Sequence, residues 1–153
     1  DMGGTLAPEQ AHRISLGAET LALRVAQTSA TALALARFLE SHAAVARVHY
    51  PMLASHPQHA LATKHFQAGS WLLAFELRDS SRMPAALDRL QLAIKATGLG
   101  DNRTLVIPVA PTIYWEAGPV VRAEMGIADG LVRVSVGLEA ADELIADFGQ
   151  ARA

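Results

Sequence analysis

The sequence predicts an α+β fold: a small, mostly antiparallel sheet of four to five strands with helices on one face, led by a long N-terminal helix. Three observations predict it. Helical and strand-like apolar patterns interleave along the chain in the order α-β-α-β-α-β-β-α-β-α, which suits one sheet covered by helices. Hydrophobic residues make up 51% and charged residues 18% of 153 residues, enough for one real core and too apolar for a disordered chain. No internal repeat or low-complexity linker divides the chain, so residues 1–153 read as a single domain.

Each element has its own signal. The opening Gly3-Gly4 and Pro8 read as a loop entering a helix, as if further chain preceded them. Residues 8–42 form one long helix or two joined ones. Pro8 suits the first turn, Glu9 favours the positive dipole end, and Gly17 is a candidate kink. Its apolar stripe runs through Leu16, Leu21, Leu23, Val25, Leu33, Leu35, Phe38 and Leu39. Val45–Pro51 is a short strand stopped by proline. Ser55–Phe66 is a short helix with Ser55 as candidate N-cap. Ser70–Asp79 is a strong strand, and Met83–Leu92 a short helix. Ala93–Gly100 leaves that helix through a possible strand into a glycine turn. Arg103–Val109 is a strand whose Pro108 marks an edge or an end. Pro119–Ile127 is a helix stopped at Gly126. Residues 131–136 are a strand, and Glu139–Arg152 is an amphipathic helix with Leu144, Ile145 and Phe148 inward.

Composition excludes several function classes. Net charge is −2 with 13 scattered Lys and Arg, so there is no electrostatic case for nucleic acid. There are no cysteines, which removes disulfides, zinc–thiolate sites and thiol nucleophiles. That is compatible with a cytoplasmic protein. No apolar run approaches the ~18 residues that cross a membrane, and the N-terminus is not a signal peptide. His56, His59 and His65 cluster near one short helix, but no nearby carboxylate completes a ligand set, so no metal is expected. Neither a G-x-S-x-G elbow nor a G-K-[ST] phosphate loop is present. The turn "GLGDNR" (Gly98–Arg103) remains a place where backbone can approach a ligand.

The unusual charge is Arg133, in "GLVRVSVGLE" (Gly130–Glu139). Val132, Val134 and Val136 share one strand face; Leu131, Arg133 and Ser135 share the other. A buried unpaired charge is costly, so Arg133 needs a partner. One reading is a salt bridge to Asp129 or Glu139, or a strand face open to water. The other is a bidentate clamp for a carboxylate or phosphate, which guanidinium geometry favours.

Several stretches together resemble one family. "YPMLASHPQH" (Tyr50–His59) resembles the "YPGLPSHPQH" run of the pyridoxal-phosphate-dependent Cys/Met metabolism enzymes, the cystathionine γ-synthase/γ-lyase family. "ETLALR" (Glu19–Arg24) and "ALALARFLESHAAVARVHYP" are similar to its "TLPLR…A…VA.FL..HP.V..V.YP" pattern. "GDNRTLVI" (Gly100–Ile107) is similar to the segment before its "HPAS.TH" motif. "MGIADGLVRVSVGLEAADELIADF" (Met125–Phe148) resembles its C-terminal signature almost throughout.

The resemblance implies the small C-terminal domain of a fold-type I enzyme, with the large cofactor-lysine domain absent from this chain. It implies pyridoxal phosphate as cofactor of the full enzyme, an amino-acid substrate, and transsulfuration chemistry: a C–S lyase or transferase in methionine and cysteine metabolism. A homoserine sulfhydrylase is the alternative. It also implies a homo-tetramer for the full enzyme. The chain's only lysines, Lys64 and Lys95, do not match the Schiff-base lysine, so this chain alone is expected to be inactive, with no catalytic residue; the alternative for the isolated chain is a non-catalytic folding or assembly module. The arginine of the family's "LVR.SVG" binds the substrate α-carboxylate, which implies that role for Arg133. The family's "ESLGG" falls on Thr97, Gly98 and Leu99, where its glutamate and serine are replaced by Thr97 and Gly98. These three complete the expected substrate-binding set. "PVAPTIYW" (Pro108–Trp115) stands in place of "HPAS.TH", making Tyr114 and Trp115 candidate pocket residues or packing residues.

Overall fold

The computed structural model describes residues 3–151. The long N-terminal helix is two joined helices, α1 (Pro8–Glu19) and α2 (Leu21–Ser41). The break falls at Thr20 (φ −101°, ψ 4°), not at Gly17. Arg24 braces it, donating to the Thr20 hydroxyl and the Gly17 carbonyl. No residue of α1 is buried, and Leu16, Leu21 and Leu23 are exposed, so the helical face becomes buried only from Thr28 of α2 onward. There the buried face is Thr28, Ser29, Thr31, Ala32, Leu35, Ala36 and Leu39. Its many small side chains let the helix lie close to the sheet.

Five strands follow: β1 (Val45–His49), β2 (Leu72–Leu77), β3 (Ile94–Lys95), β4 (Leu105–Pro108) and β5 (Leu131–Ser135). They form one sheet in the order β1-β2-β5-β4-β3. Every pairing is antiparallel except β3 with β4. Pro108 ends β4, which lies inside the sheet, at a point the two-residue β3 does not reach. Helix α2 packs on β1, β2 and the C-terminal helix α6 (Ala141–Gln150). The core between them contains Val48, Leu73, Phe75, Val106, Val132, Val134, Val136, Leu144 and Phe148. Phe75 and Phe148 meet edge-on, with ring centroids 6.2 Å apart. Ile145 is partly buried against the same core. Arg152, the expected last residue of α6, lies outside the described residues. Among the described residues no helix is long and apolar enough to cross a membrane.

The three short helices, α3 (His59–His65), α4 (Met83–Asp88) and α5 (Gly118–Glu124), differ from their expected bounds. Helix α3 starts later than Ser55. Gln58 is its N-cap, the Leu53, His56 and His59 amides close successive tight turns onto the Tyr50, Leu53 and His56 carbonyls, and the Ser55 hydroxyl donates to Glu40. Helix α4 stops at Asp88, with the Arg89 N–H on the Ala86 carbonyl, and α6 takes up the amides of residues 91–93. The Asp147 carboxylate accepts from the backbone N–H of Gln91 (2.8 Å), Leu92 (3.0 Å) and Ala93 (3.1 Å).

Tyr50 anchors the return from β1. It is fully buried, and its hydroxyl donates to the Ser29 (3.3 Å) and Ser70 (2.9 Å) carbonyls. Burial pushes its pKa up to about 12. Glycine is required at both ends of β5 for space. A Cβ at Gly130 would stand 2.6 Å from the Leu77 carbonyl oxygen, and one at Gly137 would stand 2.4 Å from the Arg103 backbone.

Two stability predictions follow from this packing. Gly137→Ala places a methyl against backbone that cannot yield, and is expected to destabilise by about 1–3 kcal/mol in chemical denaturation. Burial tends to raise the Asp147 pKa, but the three backbone donors and Gln150 outweigh it and hold the carboxyl below its ordinary value. A depressed folded pKa contributes stability above the unfolded value, near ~3.9, and that contribution disappears as pH falls through the folded one. Asp147→Asn is therefore expected to cost about 1.5–3 kcal/mol near neutral pH. The gap to the parent should close as denaturation is repeated at progressively lower pH.

Candidate substrate-carboxylate site

The site lies on the sheet face opposite α2, at the middle of β5. Arg133 sits opposite Ala74 on β2 and Ile107 on β4. Side-chain alternation decides this: Val132, Val134 and Val136 are fully buried on the helix side, which leaves Arg133 and Ser135 on the other.

A loop of residues 96–104 crosses that face and is fastened to β5 and its exit step by step. Arg133 Nη2 donates to the Thr97 carbonyl (2.6 Å) and more weakly to that of Gly98 (3.4 Å). The Gly100 N–H donates to Ser135 Oγ (3.0 Å). The Leu138 N–H donates to the Asn102 carbonyl (2.8 Å). The Glu139 carboxylate accepts from the Thr104 N–H and hydroxyl, both at 2.7 Å, and the Thr104 Oγ1 in turn accepts from the Gly137 N–H. The fastenings advance in the same direction on both segments, so loop and strand exit run parallel. Gly100 adopts φ +72°, a left-handed conformation that favours glycine.

These bonds remove one reading of Arg133, the salt bridge to Asp129 or Glu139. Asp129 pairs with Arg122 (3.2 Å), and Glu139 is engaged by Thr104. Among the described residues Arg133 has no acidic partner. Its Nε is buried and makes no hydrogen bond. A guanidinium carries five donors in a planar fork. Here Nη2 is held by backbone carbonyls while the positive charge is left uncompensated, an arrangement that suits an incoming carboxylate.

The other expected residues are placed unevenly. Thr97 and Gly98 meet Arg133 through their carbonyl oxygens, so side-chain identity is not what makes the contact. Leu99 is 56% exposed and has no hydrogen bond to Arg133. Tyr114 is half-buried and Trp115 exposed, on the segment leaving β4. Ser135 and Gly100 were not legible as site residues, although Ser135 shares the Arg133 face two positions on. Lys95 pairs with Asp88, and Lys64 is exposed on α3. Around the histidines, burial and the neighbouring His49, Arg47 and His59 lower the His56 pKa, and His59 Nδ1 lies 3.2 Å from the Pro51 carbonyl. No group of three or more potential ligands that could hold a metal ion occurs among the described residues.

The family described as Cys/Met metabolism PLP-dependent enzyme matches residues 1–153. The chain is 42% identical over 140 residues to an O-succinylhomoserine sulfhydrylase of Mycobacterium tuberculosis, covering 88% of this chain and 34% of that protein. It is 37% identical over 150 residues to a cystathionine beta-lyase of Lactococcus lactis, covering 98% of this chain and 40% of that one. It superposes with TM-score 0.91 and 39% identity on a crystal structure assigned as an O-acetylhomoserine (thiol)-lyase from Campylobacter jejuni, which carries a pyridoxyl-lysine phosphate. The match covers 99% of this chain and 36% of that one. The chain thus spans roughly a third to two fifths of the length of these relatives. On the full-length family match and these identities, the chain belongs to the Cys/Met metabolism family of pyridoxal-phosphate-dependent enzymes.

Proposed function

We propose that this chain is the C-terminal, substrate-carboxylate-binding domain of a pyridoxal-phosphate-dependent transsulfuration enzyme of the cystathionine γ-synthase/γ-lyase type. The observation that carries the reading is Arg133: a guanidinium on the strand face that the loop 96–104 crosses, steered by two backbone carbonyls and without an acidic partner among the described residues. A larger cofactor-binding domain supplies the lysine that Lys64 and Lys95 do not. The full protein assembles as a homo-tetramer in the cytoplasm.

When bound by the full protein, pyridoxal phosphate supplies an electron sink for bond breaking at the amino-acid carbons. This domain's contribution is positional. Arg133 holds the substrate α-carboxylate, fixing the amino acid at one end so that its reacting bonds meet the cofactor in a single orientation. The Thr97 and Gly98 carbonyls hold Nη2 and so set the plane of the fork. The loop above excludes water from one side of that ion pair, which strengthens it.

A homoserine sulfhydrylase is the second reading. The 42% identity to an O-succinylhomoserine sulfhydrylase favours it. Assaying the full-length protein with cystathionine, and with O-succinylhomoserine plus sulfide, separates the two.

Arg133→Ala in the full-length protein is expected to lower kcat/KM for the amino-acid substrate by about 2–5 kcal/mol, roughly 30- to 5,000-fold. Unchanged steady-state kinetics would sink the clamp. Arg133→Lys keeps the charge but loses the fork, and should recover only part of the loss. A separate prediction concerns the 153-residue chain by itself. Mixed with pyridoxal phosphate and reduced with borohydride, it should form no stoichiometric adduct at Lys95 by mass spectrometry.

A further inference from the structure

We propose that Ser135 is a positioning residue for the carboxylate clamp, acting through the loop rather than on the substrate; this rests on the assignment of Arg133 as that clamp. Ser135 is 1% exposed, on the same strand face as Arg133 and two positions along, a separation of about 7 Å. It does not touch the guanidinium. Its Oγ accepts the Gly100 N–H at 3.0 Å. Three residues earlier in the loop, the Thr97 carbonyl holds Arg133 Nη2 at 2.6 Å. The loop is therefore pinned to β5 at two adjacent points, one made by the binding residue and the other by Ser135.

The two pins depend on each other. The Thr97 carbonyl can steer Arg133 only if the loop holds its height above the sheet. Thr97, Gly98, Leu99 and Gly100 are all exposed, and the packing that reaches them is limited to Leu105 under Gly98 and Trp71 beside Gly100. The nearest restraint on the N-terminal side is the Ala96 N–H to the Val106 carbonyl (3.2 Å), and beyond Gly100 it is the Leu138–Asn102 bond. Within the stretch that steers Arg133, the Ser135 hydroxyl is the fastening from the sheet that Arg133 does not itself provide. The left-handed Gly100 aims its amide at that hydroxyl. Without Oγ, Gly100 loses its acceptor, the loop rises, and the guanidinium follows the Thr97 carbonyl away from the carboxylate position.

The test uses the full-length holoenzyme and four forms: parent, Ser135→Ala, Ser135→Thr and Arg133→Ala. Amide exchange of peptides covering residues 96–104 reports the loop. KM and kcat for O-succinyl-L-homoserine report the site, and the inhibition constant of the succinate ester of 3-aminopropanol, which lacks the α-carboxylate, reports binding without the clamp. Ser135→Ala is expected to speed exchange in 96–104 alone and to raise KM roughly 3- to 10-fold, the weight of about one hydrogen bond. Its kcat should change less than about twofold on the same scale, and the ester's inhibition constant should not move. Ser135→Thr, which keeps the hydroxyl, should restore both loop protection and KM. The proposal is overturned if exchange in 96–104 is unchanged in Ser135→Ala. It is equally overturned if exchange rises with no change in KM, or if the ester weakens in parallel with the substrate. If Arg133→Ala raises KM and Ser135→Ala does not, only the Ser135 role fails. If Arg133→Ala leaves KM unchanged, the clamp itself falls and this role falls with it.

Discussion

Everything in the domain depends on strand β5 being paired along both edges. It bonds antiparallel to β2 on one side and β4 on the other, so its backbone groups are satisfied without water. With its backbone fixed, the two-residue period of the strand sorts its side chains without ambiguity. Val132, Val134 and Val136 enter the core under α2 and α6, each fully buried. A slip of one residue would drive Arg133 into that core, where an unpaired charge costs far more than the sheet could repay. The register that builds the hydrophobic core is thus the same register that presents the guanidinium. Gly130 and Gly137, where no Cβ fits, hold the strand's two ends in place.

The second layer of order is polar. The loop 96–104 has little apolar anchorage of its own, apart from Leu105 at its end, which is buried beneath Gly98. It is held instead by Arg133, Ser135, the Leu138 amide and Glu139. The consequence is a site that is pre-shaped yet incomplete. Arg133 Nε is buried with no acceptor, a state that costs about 1–3 kcal/mol. Such a cost is tolerable where the surrounding strand over-determines the side chain, and local energetic tension of this kind concentrates at functional sites. Asp147 does a comparable task for the segment that precedes β3. One carboxylate gathers three consecutive amides and ties them to α6.

Much of this was legible residue by residue. The alternation of 131–136 and the proline and glycine punctuation placed β5, β4 and the last helix, and the α+β class with a mostly antiparallel sheet is the one observed. Arg133 stood out because an arginine in an apolar strand demands a partner. Similarity of the "GLVRVSVGLE" stretch to a known signature then suggested the role proposed for it, which pattern alone left open. Other features resisted. The amides of residues 91–93 are taken up by Asp147, more than fifty residues away, and no local propensity encodes that. Ser55 has the chemistry of an N-cap, yet Glu40 on a different helix takes its hydroxyl. The apolar stripe of α1 and early α2 reads as core but is exposed in this domain, because periodicity reports that a face is apolar and not what covers it.

The sequence by itself determined the order of the elements, the two faces of β5 and the chemical type of the site residue, because these follow from side-chain period and residue chemistry within a few positions. Only the tertiary structure decided what Arg133 faces. Asp129 and Glu139, its nearest acids along the chain, are drawn away by Arg122 and Thr104. The partners it does find, the Thr97 and Gly98 carbonyls, come from a loop some thirty-five residues upstream. Sheet order brings that loop over β5, and backbone carbonyls, which every residue carries alike, leave no mark in the sequence.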